Sequence, residues 1–136
     1  MILKTSQNQK ETYETVKSIT GSSFNLIEKF KLNVFGSPKY RILSMHPEIN
    51  EVDFEEYTDI VYGVFELRKN GLAFYFRYKN EEYIIVSRYN QLSFLNNDNV
   101  LDFQFSSCNF KLHYKNIKSH KRFISRFLNC RNLYLN

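Results

Sequence analysis

An Asn-Gly dipeptide between two alternating segments constrains the fold of this chain more than any other feature. Asn70-Gly71 separates Val61–Lys69 from Leu72–Lys79, and apolar residues recur at alternate positions in both segments. Asn-Gly is the preferred pair for a two-residue type I′ turn, because both central residues of that turn need positive φ. The sequence therefore predicts an antiparallel hairpin with one apolar face. Its predicted pairs are Lys69 with Leu72, Leu67 with Phe74 and Phe65 with Phe76.

Further strands are expected to follow this hairpin at short intervals. Leu101, Phe103 and Phe105 alternate with polar residues, and the stretch 96–99 has the composition of a turn. Such alternation is typical of strands with one buried face, and an aromatic share of 17% also favours strands. With one short strand before the hairpin, the sequence predicts an antiparallel meander of about seven strands. These are Tyr40–Met45, Val61–Lys69, Leu72–Lys79, Glu82–Arg88, Gln91–Leu95, Val100–Ser106 and Asn109–Lys115.

The apolar period changes near the C-terminus. Phe123, Ile124, Phe127 and Leu128 recur at helical spacing, whereas the residues between them are polar. This pattern predicts an amphipathic helix whose apolar stripe covers the sheet. Ser119 is predicted to be its N-cap.

Two interpretations remain open for residues 23–35. Ser22 or Ser23 as a cap and Gly36-Ser37-Pro38 as a terminator favour a helix. The even spacing of the apolar residues favours a strand instead. These residues are Phe24, Leu26, Phe30, Leu32 and Val34. We favour the helix.

The predicted class is thus α+β, with an antiparallel meander, an amphipathic C-terminal helix and an N-terminal helix. The length of 136 residues suits one domain, and no linker or repeat divides residues 1–136. Residues 1–21 either pack on this domain or form a loosely packed extension. The first ten residues lack the apolar run of a signal peptide, and no stretch approaches the ~20 apolar residues of a membrane-spanning helix. We therefore expect a cytoplasmic location.

Two stretches in the second half of the chain have a distinctive order of residue types. Tyr83–Leu95 reads as a strand, a polar bend and a Leu-Ser-Phe continuation, and His120–Leu128 as a capping helix. Over Glu82–Leu128 the chain resembles bacterial pleckstrin-homology-like and GRAM-like domains. Seven strands followed by one amphipathic helix is also the element order of the pleckstrin-homology-like fold, which implies a partly open barrel. Two features depart from that family: Glu48–Asp59 is acidic where eukaryotic lipid-binding members carry Lys and Arg, and no Trp is present.

Full charges are divided along the chain. Between Arg41 and Arg68 every full charge is negative, and after Asp102 every one is positive. Such a division can mark a partner-binding face, or it can let the two segments attract each other. The basic residues predicted to bind a ligand are Lys111, Lys115, Lys118, Lys121, Arg122 and Arg126, with Arg131 nearby.

The sequence carries no motif for catalysis, metal binding or a cofactor. His46, His113 and His120 lack the spacing of metal ligands, and alternation predicts that His113 is exposed. Cys108 and Cys130 lie 22 positions apart without a neighbouring Cys. We therefore expect two reduced thiols, no metal site, no cofactor and no enzymatic activity.

These observations favour a non-catalytic binding or scaffold module for a protein or peptide partner. Folds of this kind commonly offer a sheet edge, or the groove between helix and sheet, to a peptide. The alternative is a binder of nucleic acid or anionic lipid through the basic C-terminal region. Aromatic residues lie among those cations, but most fall on the predicted core side. They are Phe110, Tyr114, Phe123, Phe127 and Tyr134.

Overall fold

The computed structural model of this chain describes residues 2–4, 9–28, 36–47, 52, 54 and 60–134. These residues form an α+β fold on one antiparallel sheet. The elements are β1 (Ile2–Lys4), α1 (Gln9–Thr20), β2 (Tyr40–His46), β3 (Tyr62–Leu67), β4 (Gly71–Tyr78), β5 (Glu81–Arg88), β6 (Ser93–Asn97), β7 (Val100–Gln104), β8 (Asn109–His113) and α2 (Ile117–Tyr134). A short 3₁₀ turn, Tyr89–Gln91, joins β5 to β6.

The eight strands lie in the order β1-β5-β4-β3-β2-β8-β7-β6. In the described part of the chain this sheet does not close, and β1 and β6 are its two edges. The predicted α+β meander with helices at both ends is confirmed. All seven predicted strands are present as β2 to β8, and β1 is an addition that pairs with β5.

The N-terminal helix α1 lies earlier in the chain than the predicted one. Within 23–35, the described residues Leu26–Glu28 are helical. Their cap is reciprocal, because the Glu28 N–H donates to Asn25 Oδ1 at 2.8 Å and the Asn25 N–H donates to Glu28 Oε1 at 3.2 Å. Asn25 is thus the cap instead of Ser22 or Ser23. Residues 29–35, with the rest of the predicted helix, lie outside the described residues.

The predicted register of the β3–β4 hairpin is wrong by two residues. Leu67 pairs with Leu72 and Phe65 with Phe74, and the Arg68 N–H donates to the Gly71 carbonyl at 2.9 Å. The turn therefore centres on residues 69–70 and not on Asn70-Gly71. A shift of two residues keeps every side chain on its predicted face, so the apolar face is unchanged.

Contacts from outside the hairpin explain the shifted turn. The Asn70 N–H donates to the Thr20 carbonyl at 2.7 Å. The Arg68 side chain donates to the Gly21 carbonyl from Nε and Nη2, at 3.0 and 2.9 Å. Gly71 lies inside β4, where a Cβ would stand 2.3 Å from the Ser87 carbonyl oxygen. Glycine is required there for close approach to β5, and not for positive φ.

Two other turns have the conformation that was predicted for Asn70-Gly71. Lys79 and Asn80 join β4 to β5 with φ of 49° and 66°, and Asp98 and Asn99 join β6 to β7 with φ of 46° and 64°. Positive φ at both central positions matches the right-handed twist of the flanking strands.

The main core lies between one face of the sheet and α2. Phe65 is at its centre, with ring centroids 4.6 Å from Phe74, 5.0 Å from Phe103 and 5.1 Å from Phe123. A smaller cluster on the opposite face holds α1, where Val16 packs with residues of β4 and β5. The sheet is therefore covered on both faces along β4 and β5.

The apolar stripe of α2 differs from the prediction at one position. Phe123 and Phe127 are buried and Ile124 is half-buried, whereas Leu128 is 38% exposed. Cys130 takes the inward position instead and is fully buried. Residues four and seven positions after Phe123, which are Phe127 and Cys130, fall on its side of the helix more closely than Leu128, which is five positions after it.

Truncation of Phe127 tests whether α2 is part of the core. Its ring contacts Tyr89, Phe94 and Phe103, so Phe127→Ala should lower the free energy of unfolding by about 3 to 5 kcal/mol. Leu128→Ala, on the same helix but exposed, should cost less than about 1 kcal/mol. Urea denaturation of the two variants measures this difference, and equal midpoints would show that the placement of α2 is wrong.

Candidate functional site

Helix α2 begins at an asparagine cap that directs the next turn toward the sheet. The Ser119 N–H donates to Asn116 Oδ1 at 3.0 Å, and the His120 N–H donates to the Asn116 carbonyl at 3.1 Å. Asn116 is therefore the N-cap and the predicted cap Ser119 is wrong. Asn and Ser are about equally favoured at the N-cap, so the residue type alone does not distinguish the two positions. Because α2 begins before the predicted cap Ser119, His120 lies on the buried side of its first turn.

His120 joins α2 to two strands. Its Nδ1 lies 2.7 Å from Tyr40 Oη on β2, and its Nε2 lies 2.8 Å from Asn96 Oδ1 on β6. Because Asn96 Oδ1 can only accept, Nε2 carries the proton and Nδ1 accepts the Tyr40 hydroxyl proton. The imidazole also stacks on Tyr114, with ring centroids 3.7 Å apart. Helix, central strand and edge strand are thus fixed by one side chain.

Burial keeps this network uncharged. His120 is 2% exposed, and loss of hydration lowers its pKa to about 4. Desolvation, followed by the neighbouring Tyr114, raises the pKa of Tyr40. Both imidazole nitrogens are occupied by hydrogen bonds, so His120 has no nitrogen free for a substrate. We interpret it as a positioning residue for β6 and α2. Sequence spacing gave no sign of this role, since the partners are 80 and 24 residues away.

The edge strand β6 presents a free backbone. Among the described residues it pairs with β7 alone. Asn97 and Val100 flank a two-residue turn and form the closing pair, so pairing alternates inward from them. The N–H and C=O groups of Phe94 and Asn96 consequently point away from β7, toward the open edge.

The side chains of β6 fix its position next to α2. The Phe94 ring lies 5.9 Å from that of Phe127, and Asn96 bonds His120. Ile124 is half-buried and falls between these two contacts on the same stripe of the helix. On the other face, Leu95 is 68% exposed. We call the surface formed by the open edge of β6 and Ile124 of α2 the β6–α2 groove.

The predicted basic residues lie on β8, on the segment that follows it and on α2. Lys111, on β8, is the cross-strand partner of Asp102, and Lys115 follows the end of β8. Lys118, Lys121 and Arg122 are exposed on α2, and Arg126 on the same side of the helix is half-buried. The structure brings the helix cations together and leaves Lys111 apart from them. Their role as ligand-binding residues stays a prediction.

The aromatic residues among those cations are buried and offer no stacking surface. Phe110, Phe123 and Phe127 are 2% exposed or less, and Tyr114 is 8% exposed. The side chain of Tyr134 lies outside the described residues. The prediction that most of them face the core is confirmed.

The described histidine and cysteine side chains outside the His120 network differ in exposure. His46 is exposed, whereas His113 is half-buried and so less exposed than predicted. Cys108 and Cys130 are free and buried, and burial raises the pKa of each thiol to about 11. A thiol with such a pKa is a poor nucleophile at neutral pH. All carboxylates of the acidic segment 48–59 lie outside the described residues.

The described residues contain no group of three or more His, Cys, Asp or Glu side chains that could hold a metal ion. Within the same residues, neither helix has the length and apolarity required to cross a membrane.

No protein-family model, curated protein or solved structure matches this chain. The geometry described above is therefore the basis on which its function is argued.

The His120 network predicts a loss of stability in acid. The unfolded chain binds a proton at this imidazole below its ordinary pKa of 6.5, whereas the folded protein does so only near 4. The contribution of this group to the free energy of unfolding is thus fully present above pH 6.5. It is lost as the pH falls toward 4, and the total loss is up to about 3 kcal/mol.

Urea unfolding at pH 7 and pH 4.5 of the parent and of His120→Gln measures this effect. The variant retains a donor and an acceptor but has no titrating group, so its stability should fall less between the two pH values. His46→Gln, at an exposed position far from the network, is the control and should follow the parent. Equal losses in all three proteins would contradict the assignment.

Proposed function

We propose that this protein is a non-catalytic binding module that takes an extended segment of a protein or peptide partner as an added strand on β6. The observation that carries the proposal is the unpaired edge of β6, held rigid by His120 and Phe127 of α2. Addition of a strand to a sheet edge derives its affinity from backbone hydrogen bonds and its specificity from side-chain pockets.

The two edges of the sheet differ in how they are protected. Proteins usually block a free edge with charged residues, with proline or with a very short strand. β1 has three residues and ends in Lys4, so it uses two of these means. β6 has five residues and neither a charge nor a proline. An unprotected edge of this length is best explained by a partner that covers it.

The charge of α2 favours a partner segment with acidic residues. The helix contains no Asp or Glu. Lys121 lies one turn before Ile124, and Arg131 lies two turns after it. Opposite charges on a partner would increase its rate of association and fix its direction along the groove. Ile124 provides the apolar contact.

We also propose that the fold is pleckstrin-homology-like and related to the bacterial domains that the sequence resembles. What supports this is the order of elements, since β2 to β8 are followed directly by α2. A cytoplasmic location belongs to the same proposal, and two free buried cysteines are consistent with it.

The alternative function is binding of nucleic acid or anionic lipid through the basic residues of α2. It is supported by the shared solvent side of Lys118, Lys121 and Arg122. The burial of the neighbouring aromatic side chains favours the peptide instead, because single-stranded nucleic acids need exposed rings for stacking. Strong weakening by salt would distinguish this alternative.

Amide hydrogen exchange in the presence of a bound peptide tests strand addition directly. Peptides are selected from a random display library with the whole chain as target, and amide hydrogen exchange is compared with and without a selected peptide. The amides of Phe94 and Asn96 should exchange at least about tenfold more slowly in the complex than in the free protein. The amide of Leu95 already bonds β7, so it should change little and serves as the internal control.

N-methylation of the peptide provides the second half of the test. Alternate N–H groups of an added strand face β6, so methylation at successive positions should alternately abolish and preserve binding. Protection away from β6, or equal effects of methylation at all positions, would show that the peptide does not bind as an added strand.

A further inference from the structure

A basic cleft lies at the opposite side of the sheet from the main core, where β8 leads into α2. Its volume is about 400 Å³, and it lies among Lys39, Arg41, Tyr62, His113 and Lys115. Pockets for small ligands commonly have volumes of a few hundred cubic ångströms. The cleft therefore has room for a small organic molecule.

Strand pairing explains why these side chains converge. Arg41 of β2 is the cross-strand partner of Tyr62 on β3 and of His113 on β8. Directly opposed side chains start about 4.5 to 5.5 Å apart at Cβ, so the three lie in one row across three strands. Lys39 lies just before β2 and Lys115 just after β8, and both also line the cleft.

The positive charges of the cleft are not compensated by the described residues that line it. Lys39, Arg41 and Lys115 contribute three positive charges, and none of the described residues that line the cleft is a carboxylate. Within the described residues these three cations also make no ion pair. Like charges that line one cleft without a compensating carboxylate repel one another. A fold commonly retains such an unfavourable arrangement at a functional site.

One wall of the cleft is apolar and accessible. Tyr62 is 47% exposed and Ile60 is 53% exposed, and both line the cleft. An aromatic ring next to cationic groups suits a ligand that has an anionic end and a planar or apolar end. An arginine guanidinium matches the geometry of phosphate oxygens, and lysine adds point charges.

We propose that this cleft binds a small soluble organic phosphate, with the phosphate between Arg41 and Lys115 and the organic part against Tyr62 and Ile60. The site shares no residue with the β6–α2 groove. The phosphate is therefore a second ligand, separate from the proposed peptide partner. Either proposal can be overturned without affecting the other.

Phenyl phosphate is the probe, because it joins a phosphate to a planar ring. Isothermal titration calorimetry with the whole chain should give saturable binding of phenyl phosphate, weaker binding of inorganic phosphate and none of phenol. Arg41→Gln with Lys115→Gln should weaken binding of phenyl phosphate about tenfold or more. Tyr62→Ala should reduce the preference for phenyl phosphate over inorganic phosphate.

The matched control removes two positive charges elsewhere. Lys118→Gln with Lys121→Gln, on the exposed side of α2, should change the affinity for phenyl phosphate less than about twofold. Equal weakening by both double variants would overturn the proposal in favour of diffuse electrostatic attraction. Absence of saturable binding in the millimolar range would overturn it outright.

Binding to vesicles distinguishes a soluble phosphate ligand from a membrane surface. The protein should not bind vesicles of phosphatidylcholine with phosphatidic acid more tightly than it binds phenyl phosphate. Binding to these vesicles without binding of phenyl phosphate would overturn the proposal and assign the cations to a lipid surface. Binding of a selected peptide at β6 by the Arg41→Gln, Lys115→Gln variant should be unchanged, which keeps the two sites distinguishable.

Discussion

The structure depends on the burial of an aromatic sheet face by one helix. Phe65 and Phe74 are cross-strand partners on β3 and β4, whereas Phe103 lies on β7, three strands away from β3. Phe123 and Phe127 of α2 pack on this face. Without that cover, a large apolar surface would face water at a cost of about 25 cal/mol per Å². The direction of α2 along the sheet follows from these contacts. So does the placement of His120 next to both β2 and β6, on which the proposed groove depends.

Local patterns predicted the elements of the fold well, because each pattern reports on neighbours in sequence. Alternation located the seven strands and the change of period located α2. The errors have tertiary causes. The register of the β3–β4 hairpin is set by Thr20 and Gly21, which bond the turn from another part of the chain. The requirement for glycine at position 71 comes from β5. Neither contact has a signature within the hairpin itself.

The candidate sites were harder to predict than the fold. The run of cations after Asp102 drew attention to the C-terminal region, and Lys115 does line the basic cleft. Its partners Lys39 and Arg41 lie some 75 residues earlier, in a segment with no distinctive composition. Only the pairing of β2 with β8 brings the two groups together. His120 has no local motif that marks its role, because its partners Tyr40 and Asn96 become neighbours only when the sheet forms.

The uncharged composition of β6 has a consequence for the behaviour of the protein at high concentration. Two copies that meet edge to edge through β6 would extend the sheet across both molecules, which is the first step of ordered self-association. A net charge of +5 opposes such encounters by mutual repulsion. Added electrolyte shortens the range of that repulsion to roughly 8 Å near physiological ionic strength. Colloidal stability of this protein should therefore be greatest in dilute buffers, and a bound partner segment would act as a protective cap.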